Sequence, residues 1–132
     1  MSIAAYKRTI RESETPRQIE RRILSRITGQ LEQHAQNFDS AEARSDRQSM
    51  LASGLRTSLN ENQAMWRAMR HDLAAEGNAL PPELRASLLS LALWVDRQSA
   101  AVMGGEKGVG ALVAINRSII AGLSGQAPRP EG

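Results

Sequence analysis

Apolar residues recur at intervals of three and four along most of this chain, which is the spacing of one face of an α-helix. The clearest run begins after Pro82 and contains Leu84, Leu88, Leu91 and Val95. Three further apolar residues widen that stripe: Leu89, Leu93 and Trp94. A helix that is apolar over so much of its circumference is expected at the centre of a bundle. We therefore predict that the other helices pack around this helix and its successor.

The first firm helix is predicted to begin at Thr15 and Pro16. Thr15 suits the capping position, Pro16 suits the first helical position, and Gln18 completes a capping box. Apolar residues then follow at helical spacing: Ile19, Ile23, Leu24, Ile27 and Leu31. The pattern fades after Ala35, so we place the end of this helix near Asn37.

A second helix is predicted to open at Asp39 or Ser40, with Glu42 in the capping-box position. Residues 40–49 have no clear stripe, but an apolar face follows: Met50, Leu51, Leu55, Leu59, Asn62, Met65, Trp66, Met69 and Leu73. A continuous helix to Ala75 would be about 50 Å long. Because that is long for so short a chain, we predict a bend before Gly54 or a frayed first half.

The third helix is predicted to start at Pro82, to run to about Val102 and to end at Gly104-Gly105. The last helix runs to about Ala121 and buries Val109, Leu112, Val113, Ile119, Ile120 and Leu123. No strand-like alternation occurs. The prediction is an all-α fold, a small helical bundle of three to four main helices. Residues 1–124 form one helical domain with an N-terminal arm or short helix at 1–14, and residues 125–132 form a flexible tail.

The composition is that of an ordinary globular protein, with 132 residues, 41% hydrophobic and 23% charged. The absence of cysteine excludes disulfides and thiolate chemistry, and it fits a reducing compartment. No apolar run resembles a signal peptide or a membrane span. We expect a cytoplasmic protein without membrane insertion.

The net charge of +3 arises from an excess of cations in the first 30 residues. Four arginines lie on the first predicted helix: Arg17, Arg21, Arg22 and Arg26. They could meet phosphates, but an aromatic content of 3% leaves almost no platform for stacking bases. We favour a solvated helix face and do not expect nucleic acid as a partner.

Catalytic and metal-binding patterns are missing from the sequence. His34 and His71 lack partners at metal-ligand spacing, and the GGEKGVG segment at 104–110 lacks the spacing of a phosphate-binding loop. We therefore predict no enzymatic activity, no cofactor and no metal site.

Two kinds of side chain within the apolar stripes leave their roles open. Trp66 and Trp94 suit either a core or a partner surface, and Met69 is an adaptable side chain of the kind found in grooves for apolar helices. Asn62 and Asn116 are amides at positions predicted to be buried. Because a buried amide needs hydrogen bonds, we expect both either to fix the register of neighbouring helices or to cap a neighbouring turn.

Several sequence segments together resemble the flagellar biosynthesis regulator FlaF family of alphaproteobacteria. They are Ala5-Tyr6 with Thr15-Pro16-Arg17, 62–66 (NQAMW), 78–85 (NALPPELR), 91–95 (LALWV) and 115–123 (INRSIIAGL). The resemblance covers about two thirds of the chain. Residues 37–54 do not match and are interpreted as an insertion or a divergent link.

The resemblance implies a small cytoplasmic helical protein needed for flagellin production and export, without catalytic residues. Such a protein would bind flagellin as an export chaperone, or would act in the circuit that matches flagellin synthesis to secretion, together with the regulator FlbT. The alternative is a post-transcriptional regulator that acts through FlbT or flagellin mRNA. A third reading is a dimerisation module without flagellin contact.

The terminal segments of flagellin are amphipathic, so a partner needs an apolar groove to hold them. We expect Leu89, Leu93 and Trp94 to face flagellin. Tyr6 and Ile10 on the N-terminal arm would cover this groove when flagellin is absent. Trp66 and Met69 complete the set of candidate partner-binding residues.

Overall fold

The computed structural model describes the backbone of residues 16–123 and the side chains of residues 18–122. Five α-helices follow one another in this part of the chain: α1 (Pro16–Ser40), α2 (Arg44–Met50), α3 (Arg56–Ala74), α4 (Pro82–Met103) and α5 (Val109–Leu123). A π-helical turn, Leu51–Leu55, joins α2 to α3. No strand occurs within this part of the chain, so the all-α prediction is confirmed, with α2 and α3 forming one bent helix. The predicted arm at 1–14, the Thr15 cap and the tail at 125–132 lie outside the described residues.

The helices form two antiparallel pairs. α1 packs along α5, and α3 packs along α4; α1 also contacts α3, whereas α4 and α5 touch only over a short length. Two contacts show that α1 and α5 are antiparallel: Asp39 bonds to Gly110, and Glu32 bonds to Arg117. Because α1 contacts both α5 and α3, it occupies the middle of the molecule.

The core is built around the inner face of α1. Leu24, Ile27, Leu31 and Phe38 of this helix are almost fully buried. Ile27, Leu31 and Phe38 form one cluster with buried apolar side chains from the other elements: Leu51, Leu55, Leu59, Trp66, Val95, Val102, Val109 and Leu112. The predicted end of α1 near Asn37 was wrong, because Phe38 lies two turns beyond Leu31 on the same buried face.

The prediction that α4 lies at the centre was also wrong. Its second half is buried at Val95 and Val102, but in its first half Leu88 and Leu91 are half-buried and Leu84 is 47% exposed. The reason is that α5 packs mainly on α1, so the first half of α4 has α3 as its main helical neighbour. No helix within residues 16–123 is long and apolar enough to cross a membrane.

The bend predicted before Gly54 is confirmed. Ser53 and Gly54 leave the helical conformation, with φ/ψ of −89°/20° and 117°/−20°. The positive φ of Gly54 is one that residues with a Cβ rarely adopt. The bend allows Leu51 and Leu55, on either side of it, to enter the core.

A polar corner closes one end of the bundle, where α4 ends. Glu106 N–H bonds to Ala101 and Gly105 N–H bonds to Val102, which is a Schellman ending with Gly105 at φ 102°. Arg44 donates to the Gly104 carbonyl and Arg47 to the Gly105 carbonyl, each at 2.6 Å. These cations stand where the helix dipole of α4 is negative. Residues 37–54, which the family resemblance left unmatched, therefore supply much of this corner.

Asp39 completes the same corner from the last turn of α1. Its carboxylate accepts hydrogen bonds from the backbone N–H groups of Gly108, Val109 and Gly110, at 2.9, 3.0 and 2.8 Å. The predicted capping role at the second helix was wrong, because α2 starts at Arg44 and Asp39 instead caps α5. Gly108 has φ 137°, a backbone conformation that residues with a Cβ rarely adopt, so this turn requires glycine.

Candidate partner-binding surface

A chain of buried hydrogen bonds links α3 to α5. Trp66 Nε1 donates to Asn116 Oδ1, and Asn116 Nδ2 donates to Asn62 Oδ1, both at 2.8 Å. All three side chains are at most 2% exposed. The expectation that both amides find hydrogen bonds is confirmed, although Asn62 Nδ2 is buried without a partner among the described residues, and their role in helix register stays a prediction. Trp66 belongs to the core in this structure, so it does not lie on a surface that a partner could reach.

Met69 and Trp94 occupy intermediate positions. Both are half-buried and pack against the core cluster with one side. Their remaining surface is small, so either residue could border a partner site without forming its centre. Tyr6 and Ile10 lie outside the described residues, and their predicted covering role therefore stays a prediction.

Leu89 and Leu93 lie on the outer side of α4. Leu93 is 49% exposed and Leu89 is half-buried, and within residues 18–122 neither belongs to the core cluster or to the side chains packed on it. Because they are four residues apart, they are neighbours on the helix surface. We call this pair the α4 ridge.

Trp94 does not share the α4 ridge. Successive residues of an α-helix are rotated by about 100°, so Trp94 points well away from Leu93. Its packing against the core agrees with that direction. The structure thus brings together two of the three residues expected to face flagellin and separates the third.

The ridge lies beside an ion-pair cluster between α3 and α4. Asp96 of α4 pairs with Arg70 at 2.9 Å and lies 3.9 Å from Arg67 Nε. The cluster holds two cations against the single negative charge of Asp96, so its net charge is positive. The border of the ridge is therefore positively charged.

One arginine of the basic face predicted for α1 forms an ion pair with another helix of the same chain. Arg26 pairs with Glu61 of α3 at 3.1 Å across the surface, while Arg21 and Arg22 are exposed. Exposed pairs of this kind add little stability, typically about 0.2–1 kcal/mol. The face as described is a solvated helix surface rather than a deep anion-binding groove.

An open hollow of about 370 Å³ lies beside the bend. It is lined by His34, Ala41, Asp46, Ser49, Met50 and Ser53. Half of these side chains are small and polar, and none is a buried charge. No three His, Asp or Glu side chains of the described residues are placed to hold a metal ion. The α4 ridge is thus the stronger candidate for a functional surface.

Comparison with known protein families gives a match that covers nearly the whole chain. Residues 2–123 match the family described as flagellar protein FlaF. The matched range includes residues 37–54, so this segment is part of the family's extent. No curated protein and no solved structure gives a significant match. The resemblance found in the sequence is confirmed: the chain belongs to the FlaF family of flagellar proteins.

Proposed function

We propose that this FlaF-family protein is a non-enzymatic, cytoplasmic flagellin-binding protein. It acts as an export chaperone and regulator that couples flagellin synthesis to secretion. The observation that supports the proposal is the α4 ridge, which presents two adjacent leucines outside the core of a flagellar protein. An amphipathic helix from a flagellin terminus would cover it with its own apolar face.

The size of the ridge sets the strength of this interaction. Complete burial of a leucine side chain is worth about 1.5–3 kcal/mol, and Leu89 is already half covered. Association also costs translational and side-chain freedom. The ridge alone therefore supports a weak, rapidly exchanging complex, as a chaperone that hands its cargo to an export apparatus requires.

The test compares two leucines of the same helix with nearly equal exposure. Leu93→Asp changes the ridge at a side chain that is 49% exposed, and Leu84→Asp is the matched control at 47%. Binding to purified monomeric flagellin from the same organism is measured by calorimetry. We expect Leu93→Asp to weaken binding at least about tenfold, because a carboxylate would be desolvated, and Leu84→Asp to stay within about twofold.

Other results would count against the proposal. A folded Leu93→Asp protein that binds flagellin like the wild type would remove the ridge from the site. A complex that dissolves on RNase treatment, or weakens steeply between 50 and 200 mM salt, would instead favour action through flagellin mRNA. Binding to FlbT without flagellin would favour the regulatory circuit alone.

A further inference from the structure

The α4 ridge is the middle of a longer row of side chains. Arg85 precedes Leu89 by four residues, and Arg97 follows Leu93 by four. Residues four apart on a helix are surface neighbours, and each step of four turns by about 40°, so the row arginine, leucine, leucine, arginine winds by about 120° and the two arginines flank the leucine pair on opposite borders. Arg97 is exposed and Arg85 is half-buried. Two cations therefore bracket the leucines of the α4 ridge.

Neither arginine has a partner within residues 18–122, because neither forms an ion pair or a side-chain hydrogen bond there. Sequence explains this, because the positions three and four residues away from Arg85 and Arg97 hold no carboxylate. Those positions are Pro81, Pro82, Leu88, Leu89, Leu93, Trp94, Ala100 and Ala101. By contrast, several arginines elsewhere pair across helices: Arg26, Arg44, Arg70 and Arg117.

The carboxylates of α4 do not neutralise the row. Asp96 follows Leu93 by three residues and so adjoins the row, but its single negative charge faces two cations of α3, Arg70 at 2.9 Å and Arg67 at 3.9 Å. Glu83 precedes Arg85 by two residues, which places it about 160° away around the helix. The ridge is thus an apolar pair in a positively charged border.

We propose that this row binds an amphipathic helix whose apolar face is bordered by two carboxylates about three helical turns apart. The two arginines are twelve residues apart in sequence, so helical rise places them about 18 Å apart along α4. A helix lying along the row would bury its apolar side chains on Leu89 and Leu93 and place one carboxylate near each guanidinium. This inference rests on the proposed function, and it gives the flagellin segment a stated chemistry.

A second copy of this chain fits the row less well. In a two-fold antiparallel pairing, Arg85 of one copy would lie at the same level along the helices as Arg97 of the other. Like charges brought together oppose association, so the row favours an acidic partner over a second copy of this chain.

The direct test is a charge exchange. Two synthetic helical peptides share one apolar face and differ at two positions twelve residues apart, which are Glu in one peptide and Lys in the other. We expect the wild-type protein to bind the Glu peptide at least about fivefold tighter at 50 mM salt. Arg85→Glu/Arg97→Glu should reverse the preference, and the difference should shrink in 500 mM salt because screening shortens to a few ångströms.

The control has the same change of net charge on other helices. Arg21→Glu/Arg56→Glu alters two exposed residues of α1 and α3 that lack partners within the described residues. We expect it to keep the wild-type preference. An equal loss in this control would show unspecific attraction and would overturn the proposal.

Measurements of flagellin binding distinguish a failure of the acidic border from a failure of the proposed function. If Leu93→Asp abolishes flagellin binding and Arg85→Glu/Arg97→Glu leaves it unchanged, the acidic border is overturned while the proposed function stands. If flagellin does not bind the wild type, the proposed function fails, and the peptide exchange still decides the chemistry of the row. A wild-type dimer that Leu93→Asp splits into monomers would assign the row to a second copy and overturn the proposal.

Discussion

The carboxylate of Asp39 accepts a hydrogen bond from the backbone of Gly110 at 2.8 Å, across 71 residues of sequence. The same side chain also accepts bonds from Gly108 and Val109. One residue thus satisfies three N–H groups at the start of α5. A helix N-terminus is where a negative charge is most stabilising.

Asp39→Ala should therefore lower the free energy of unfolding by about 2–3 kcal/mol, because it removes a cap and leaves N–H groups without acceptors. Asp39→Asn keeps one acceptor oxygen and should lose about half as much. Denaturant unfolding followed by circular dichroism measures both. Glu32→Gln, at an exposed ion pair with Arg117, is the control and should change stability by less than about 1 kcal/mol. An Asp39→Ala protein as stable as this control would contradict the assigned role.

The buried amide chain gives a second prediction. Asn116→Ala removes the acceptor of Trp66 and the donor to Asn62 together, so it should destabilise the protein by about 2–4 kcal/mol. Trp66→Phe removes one bond and some volume and should lose about 1–3 kcal/mol.

A double-mutant cycle tests whether these residues act together. The losses from Asn116→Ala and Trp66→Phe should not add, with a coupling of about 0.5–3 kcal/mol. Simple additivity in thermal and urea unfolding would mean that the hydrogen bond between them contributes little.

Two glycines should respond in opposite directions to the same substitution. Gly54→Ala forces a Cβ into a backbone with φ 117° and should lower stability by about 1–3 kcal/mol. Gly29→Ala lies inside α1 with nothing within 4 Å of the new Cβ, and should raise stability by about 0.5–1 kcal/mol. Midpoints of urea unfolding compare the two. Equal effects would show that the bend is not set by Gly54.

A buried hydroxyl without a partner gives the fourth prediction. Ser99 Oγ is buried and unbonded in the described structure, so Ser99→Ala should be neutral or stabilising by up to about 1 kcal/mol. Thr28→Val is the contrast, because Thr28 Oγ1 bonds to the Leu24 carbonyl at 2.6 Å. That variant should lose about 1 kcal/mol in the same melting experiment. A clear loss in Ser99→Ala would show that the hydroxyl is bonded in solution.

Local signals in the sequence were sufficient for much of the fold. Pro16 and Pro82 begin α1 and α4 as expected, and Gly104-Gly105 ends α4. The bend near Gly54 followed from a length argument, because a straight helix would have been too long. These predictions succeeded because the chemistry that starts, bends or ends a helix lies within a few residues of the event.

Long-range relationships were not predictable in the same way. The stripe on α4 showed which of its sides is apolar, but not how many helices would cover it, and Leu84 stays 47% exposed. Asp39 carried the signature of a cap, yet the helix it caps starts at Val109. At the candidate site, Leu93 and Trp94 were grouped by composition, although neighbours in a helix diverge by about 100°. Arg85 and Arg97 could have been found by reading that row in steps of four.

Because of the polar corner, the C-terminal half of the chain depends on side chains from the N-terminal half to complete its helix ends. The last carbonyls of α4 and the first amides of α5 are matched by side chains 58 to 71 residues upstream. A fragment that begins at residue 76 would contain both helices but none of the upstream side chains that bond to the end of α4 and the start of α5. Splitting the protein there should yield pieces that regain helicity only when mixed, and a residue inserted at 41–43 should disturb the distant turn as much as its own surroundings.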